Sequence, residues 1–427
     1  MRDEYGARAA EVIRQGLGRR GLIRATAAMG VAGALGAHAA PAYAARGEGG
    51  RPATLQPDSG RPRGAYLPST EETVRWGTLP NRDADPVLTV PSGGVVTMDT
   101  VSHEGILEDQ GRDPVAYFGD HGVAPEDVLA DAKAIAASNI PHDFDADGPH
   151  VVTGPVAVRG ARPGDVLKIE VLDLRMRVPY GVISNRHGKG ALPGEYPESI
   201  VDDPATAPYL NAFDNISVFT PVTRGSGGWF GELPAGRGSV RFRLAPFMGL
   251  MGVAVDTDET VNSVPPTVAG GNLDINELGV GSVLYLPVQR PGALFYAGDP
   301  HFVQGDGEVA LTALEGSLRA TFRLSVVRPG GAAPEVAFEY PFAETDDYWI
   351  PIGLSDPDGP VGGQGRSLDD AMKTAVRNAL AFLHEELGMA KAVAYAYLSA
   401  ATDFEVSQVV DRTTGIHALI RKADFNR

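Results

Sequence analysis

From about Val74 to residue 345 the chain runs in short segments in which apolar and polar residues take turns, each closed by Gly, Pro, Asn or Asp. In residues 166–171, Leu167, Ile169 and Val171 share one side and Lys168 and Glu170 the other, the period of two of a half-buried strand. Residues 87–90, 95–98, 151–153, 283–288 and 318–327 have the same β-favouring composition. The period lengthens to that of a helix in two stretches. Residues 125–137 have an acidic first turn and an Ala-rich body. Residues 367–387 begin with Ser367 as N-cap and Asp369 and Asp370 in the first turn, carry a stripe of Met372, Val376, Leu380 and Leu383, and stop at Gly388. A short helix over 390–400 and strands over 406–410 and 416–420 follow. No segment repeats at a spacing of about 20–50 residues, which argues against a solenoid or propeller. The predicted fold class is mainly β (α+β): a β-sandwich or barrel-like core of antiparallel strands with helices toward the C-terminus.

The N-terminal pattern is different. Arg19 and Arg20 precede a weakly apolar Ala/Gly stretch from 25 to 40, followed by Pro41 and the small-x-small sequence Ala42-Tyr43-Ala44. A positive region, a short apolar region and such a site read as an export signal of the twin-arginine type, with the mature protein periplasmic or extracellular. The stretch is too short and Gly-rich to span a bilayer, so no membrane span is expected in the mature protein. The expected organisation is a signal over 1–44, a disordered Gly/Pro/Arg-rich spacer over 45–73, a β-rich core over 74–345 and a C-terminal α+β part of the same unit over 346–427.

Composition narrows the chemistry. The 427 residues include no Cys, which excludes disulfides, a cysteine nucleophile, thiolate zinc sites and cysteine-held iron–sulfur clusters. Any metal must therefore sit on nitrogen and oxygen. A formal charge of −17, or −20 without the six Arg and three acids of residues 1–44, lacks the basic footprint of a nucleic-acid binder.

Without thiols, the nine His are the natural nitrogen ligands and proton carriers. His38 lies in the signal, and His384 and His417 read as partly exposed side chains on a helix and a strand edge. His103, His121, His142, His150, His187 and His301 fall in Gly-rich, acidic loops. The densest constellation is Gly298-Asp299-Pro300-His301-Phe302-Val303-Gln304-Gly305-Asp306-Gly307-Glu308, expected as a tight turn after a strand ending at Tyr296. Imidazole and carboxylates there suit a hydrolytic metal, with a bland acidic hairpin or a structural Ca²⁺ loop as the alternative; the Asp spacing is not that of an EF-hand. A second cluster, Gly270-Gly271-Asn272-Leu273-Asp274, leaves Asn272 and Asp274 on one side of an extended segment.

These two runs, with His150-Val151-Val152-Thr153-Gly154-Pro155-Val156, Gly160-Ala161-Arg162-Pro163-Gly164-Asp165-Val166-Leu167, Leu286-Pro287-Val288, Gly292-Ala293-Leu294-Phe295 and Leu314-Glu315, make the sequence resemble the acetamidase/formamidase family over residues of about 85 to 425. The resemblance implies hydrolysis of a short carboxamide to carboxylate and ammonia, in a β-rich oligomer, here a homodimer, with a divalent metal. Carried onto this chain, the motif residues are Asn272, Asp274, Asp299, His301 and Glu315. On that basis Asp299 and His301 are expected metal ligands, with His103, His150 and Asp99 as further candidates. The ion is expected to be Zn²⁺, or Ca²⁺ in a structural role. Glu315 is the expected general base, with Asn272 and Asp274 as further catalytic groups and Arg186 and His187 as substrate-binding groups. Residues 99–113 and 180–192 are elaborated beyond the smallest family members. The chain offers neither a nitrilase cysteine, nor a Ser-Ser-Lys set, nor a Gly-x-Ser-x-Gly elbow. The rival readings are a secreted metal-containing β-rich binding module and a hydrolase of cyclic amides.

Overall fold

The computed structural model describes residues 52–425 apart from 58, 61, 63 and 356–366. The export signal expected over 1–44 lies outside the described residues. Two large sheets form the fold. The first runs β1 (Ala65–Leu67), β5 (Gly94–Asp99), β18 (Leu318–Val327), β7 (Val166–Met176), β15 (Val283–Pro287), β19 (Phe342–Glu344), β20 (Tyr348–Leu354), β22 (Gly415–Arg421) and β21 (Asp403–Gln408). The second runs β11 (Gly238–Arg243), β10 (Gly228–Ala235), β9 (Ile216–Gly225), β8 (Tyr180–Asn185), β17 (Leu314–Glu315), β16 (Phe295–Val303), β12 (Phe247–Gly252) and β14 (Gly270–Asn272). To β16 is also joined β6 (Val151–Arg159), which carries β2 (Val74–Trp76) and β4 (Leu88–Pro91). A small pair, β3 (Thr78–Leu79) with β13 (Val261–Asn262), completes the strands. All pairings but β1–β5 and β4–β6 are antiparallel, which agrees with the alternation in the sequence.

The two sheets share one core. Leu167, Ile169, Leu284 and Phe322 of the first meet Val151, Leu250, Phe295 and Ala297 of the second, with Phe295 edge-on to Phe322 at 5.2 Å. The sandwich half of the predicted architecture is the one observed.

The helices are α1 (Pro114–Asp120), α2 (Ala130–Ala137), α3 (Leu368–Glu385) and α4 (Lys391–Ala401). Ser367 caps α3 by accepting from Asp370 N, as its sequence predicts. Of the expected stripe Leu383 is buried, but the rest of the buried face is Ala371, Ala375, Ala379 and Phe382, one position before Met372, Val376, Leu380 and Leu383, and Met372 is exposed. The reason is close approach: a Cβ on Gly353 of β20 would collide with the backbone of Ala371 and Ala375, so only small residues fit that seam. The expected helix over 125–137 is a single 3₁₀ turn, Pro125–Asp127, followed by α2. The spacer expected up to residue 73 is also ordered near its end, because β1 lies parallel on β5 and Leu55 N donates to Arg177 O at 2.8 Å. No helix among the described residues is long and apolar enough to cross a membrane.

Candidate active site and metal centre

The His301 segment is not a turn. β16 passes straight through it to Val303, flanked by β12 on one side and by β6 and then β17 on the other. Pro300 and a left-handed Asp299 (φ +50°) look like a turn in sequence, yet strands on both sides hold them in the sheet. Asp299 and His301, two residues apart on one strand, share a face. Glu315 on β17 is the direct cross-strand partner of His301.

Around this pair the structure gathers groups from five further segments. His301 Nε2 lies 3.0 Å from Asp299 Oδ2, 3.0 Å from Glu315 Oε1 and 3.9 Å from Glu308 Oε1. Its Nδ1 lies 3.8 Å from Asp274 Oδ1. His103 Nδ1 and His150 Nε2 each stand 3.6 Å from Asp299 Oδ1. Three sets of buried ligand atoms result, each close enough to hold one metal ion: His103/His150/Asp299, Asp299/His301/Glu315 and Asp274/His301/Glu308. Gly249 on β12 makes room for them, since a Cβ there would come 2.5 Å from Asp274 Oδ1 and 2.8 Å from Asp299 Oδ2.

Two features set this cluster apart from an ordinary buried network. Both nitrogens of His103 and His301, both oxygens of Asp274 and Glu315, and Asn272 Oδ1 are buried without a hydrogen-bond partner, whereas buried polar atoms are normally satisfied. Asp274, Asp299 and Glu308 all have left-handed backbone, with φ of +52°, +50° and +46°. Such strain persists only where the surroundings enforce it, and it concentrates at functional sites.

Electrostatics divides the groups. Burial raises the Glu315 carboxyl to about 7 and Asp411 to about 7, and lowers His150 to about 4. Against burial, His150 and His301 hold Asp299 well below the usual carboxylate range. Against burial as well, Glu315 and Asp299 keep His301 above its ordinary value.

A cavity of about 440 Å³ opens onto the cluster. His103, His150, Asp299, Glu315 and Asn272 line it together with Phe144, Phe213, Val264 and Leu311. Its size falls within the roughly 300–1,000 Å³ of small-molecule sites.

The structure thus brings Asn272, Asp274, Asp299, His301, Glu315, His103 and His150 together. Asp99 does not join them. Its carboxylate receives Arg319 Nε and Nη2 at 2.5 and 2.8 Å and the Tyr66 hydroxyl at 2.6 Å, and Arg177, itself paired to Asp131 at 2.7 Å, stands 3.5 Å away. Asp99 is therefore a structural anchor for β1 and α2. Replacing Arg319 by Met would leave a buried carboxylate short of a partner and is expected to lower stability by about 3–5 kcal/mol, read by urea unfolding; a change within 1 kcal/mol, roughly, would show Arg177 suffices.

Arg186 lines the cavity, but its guanidinium is committed to Asp109 at 2.9 Å and Glu104 at 3.1 Å. Against burial, Arg186 and His103 keep Glu104 well below the usual carboxylate range, and Glu104 Oε1 lies 3.3 Å from His103 Nε2. Arg186 therefore acts on the cluster through Glu104. The His187 side chain is 40% exposed, with Nε2 toward Asp214 O, and belongs to the rim. His417, expected at an exposed edge, is fully buried because β21 covers β22 and takes the edge itself. Glu308, Asp411 and Gly249 are the participants the sequence did not single out. Glu308 lay in the quoted acidic run, while Asp411 and Gly249 carry no local signal.

The chain belongs to the acetamidase/formamidase family, whose model matches residues 132–259 and 254–421. His103 lies ahead of the matched part. The chain is 28% identical over 221 residues to the acetamidase of Mycolicibacterium smegmatis, covering 40% of this chain and 52% of that protein. It is 26% identical over 323 residues to the formamidase of Methylophilus methylotrophus, covering 64% of this chain and 76% of that one. It therefore spans about half the length of the first of these curated relatives and about three quarters of the second. The crystal structure of the acetamidase of Bacillus halodurans shares the fold with a TM-score of 0.61 at 26% identity, covering 84% of this chain and 98% of that one.

Proposed function

We propose that this protein hydrolyses a carboxamide to a carboxylate and ammonia at the cavity floor. The observation that carries the reading is the set of orphaned, buried imidazole and carboxylate atoms of His103 and Glu315 on the cavity wall, backed by those of His301, 3.0 Å from Glu315, and of Asp274, 3.8 Å from His301, in a chain of the acetamidase/formamidase family. The donor groups fit a divalent metal: His103, His150 and Asp299 make one set that would hold it, and Asp299 and His301, with Glu315, an adjoining one, and nitrogen with carboxylate donors suits Zn²⁺. Such an ion would polarise the amide carbonyl and lower the pKa of water toward about 7.

The chain's own groups have separate tasks. Asn272 lines the cavity and has a buried, unpartnered Oδ1 that can accept from the substrate NH₂. Glu315, near 7 through burial, is placed to take a proton from the attacking water and return it to the leaving nitrogen. Asp274, raised by burial and by Glu308, adds a second carboxyl that can carry a proton beside His301. Glu104 and Arg186 orient His103 from behind. The Arg19-Arg20 pair and the Ala42-Tyr43-Ala44 sequence support action outside the cytoplasm after twin-arginine export.

The test is ammonia release from formamide, acetamide and propionamide, with and without chelator and with Zn²⁺ added back. Release that chelation abolishes and Zn²⁺ restores is expected; release untouched by exhaustive chelation would remove the metal from the reading, and none on any amide would remove the hydrolysis. A five-membered lactam belongs in the same assay, because the cavity of about 440 Å³ with Phe144 and Phe213 on its wall exceeds what a one-carbon amide fills.

A further inference from the structure

We propose that Glu277, Glu405 and His417 form a second divalent-cation site, distinct from the cavity cluster, which clamps the C-terminal hairpin onto the loop that carries Asp274. His417 on β22 and Glu405 on β21 are direct cross-strand partners, and Glu277 reaches them from the loop after β14. His417 Nε2 lies 3.1 Å from Glu277 Oε2 and 3.7 Å from Glu405 Oε2, and the three ligand atoms all lie within 4.8 Å of one another. Ligand atoms placed about 2.0–2.2 Å from a Zn²⁺-sized ion stand roughly 3–3.6 Å from each other, so the 3.1 Å pair already has that spacing and the 3.7 Å pair needs only a slight approach.

The histidine supplies the independent observation. Its side chain is fully buried, and Nε2, although 3.1 Å from Glu277 Oε2, makes no well-aligned hydrogen bond. Glu277 Oε2 is likewise buried without a hydrogen bond. Nδ1 is fixed by the Ser407 hydroxyl at 2.8 Å. With Nδ1–H donating to Ser407, the Nε2 lone pair points at the two carboxylates, the arrangement by which an outer partner orients a metal-bound imidazole. Two carboxylates and a neutral imidazole balance a dication. The mixed nitrogen and oxygen set favours Zn²⁺ over Ca²⁺, which takes oxygen ligands. Glu277 and Glu405 are partly exposed, so the cation has a path from solvent.

Its position gives the site a task. Glu277 is three residues from Asp274, and Gln304 Nε2 donates to the carbonyls of both Asp274 and Ser407 at 3.0 Å. The hairpin that carries Glu405 and His417 turns through Asp411, another member of the cavity cluster. A cation here fastens the loop that carries Asp274 to the hairpin that carries Asp411.

The proposal does not rest on amide hydrolysis. Its test is Zn²⁺ bound per chain by elemental mass spectrometry, after chelator stripping, Zn²⁺ reloading and desalting, for the full protein, Glu405→Lys and His417→Gln, with circular dichroism as the folding control. The wild type is expected to retain one Zn²⁺ more than either variant. Equal Zn²⁺ in the wild type and folded Glu405→Lys would overturn the site and leave His417 as an imidazolium held by two glutamates. Should His417→Gln fail to fold, Glu405→Lys decides, because residue 405 lies partly exposed on an edge strand.

Discussion

Replacing His301 by Ala is expected to abolish ammonia release, with kcat/KM falling by at least about 10³-fold, and to lower the metal retained at the cavity. The imidazole is the hub of the cluster: two of the three ligand sets there include it, and it sits against four carboxyl groups within 3.9 Å. Several kcal/mol of transition-state stabilisation come from a metal acting on the carbonyl, and each 1.4 kcal/mol, roughly, is a factor of ten in rate. The variant also leaves Asp274, Asp299, Glu308 and Glu315 facing one another without a cationic partner between them, so a loss of stability accompanies the loss of rate. Kinetics, elemental analysis and circular dichroism on one preparation separate the effects. Turnover and metal content equal to the wild type would remove His301 from the site.

Glu315→Gln probes proton transfer with little change of shape. Gln keeps the size of the side chain and an oxygen toward His301 but cannot take a proton from water. The expected result is a fall in kcat of about 10²–10⁴-fold, the usual contribution of a positioned general base, with KM and metal content nearly unchanged. Loss of metal along with activity would instead make Glu315 a ligand, as its 3.0 Å contact with His301 Nε2 permits. A kcat within twofold, roughly, of the wild type would move the base elsewhere, with Glu308 next in line.

Both experiments address residues visible in the sequence, and the reason is local chemistry. Asp299 and His301 are two positions apart, and a strand's period of two puts such residues on one face whether or not the strand is recognised as one. Asn272 and Asp274 do not follow that rule, because β14 ends at Asn272 and Asp274 has left-handed backbone (φ +52°); the fold, not an extended run, brings both to the site. That β16 continues through Asp299-Pro300-His301 was not legible, because Pro and a left-handed Asp are turn signals in isolation and only the flanking β12, β6 and β17 override them. For α3 the sequence predicted the cap and the extent, but the buried face was settled by Gly353 on a strand that precedes it.

Local pattern therefore determined the antiparallel β class, the capped C-terminal helix and the candidacy of the acidic His-bearing runs, since these depend on period, capping and the absence of thiols. The partner of each group was decided in three dimensions. Asp99 and Asp299 are both buried aspartates on strands, yet Arg319 and Arg177 neutralise the first while the second meets three imidazoles. His103 and His150 become neighbours of Asp299 only because strands distant in sequence are packed together. A side chain's charge, protonation and free lone pairs depend on what faces it across the core, and sequence spacing does not encode that neighbour.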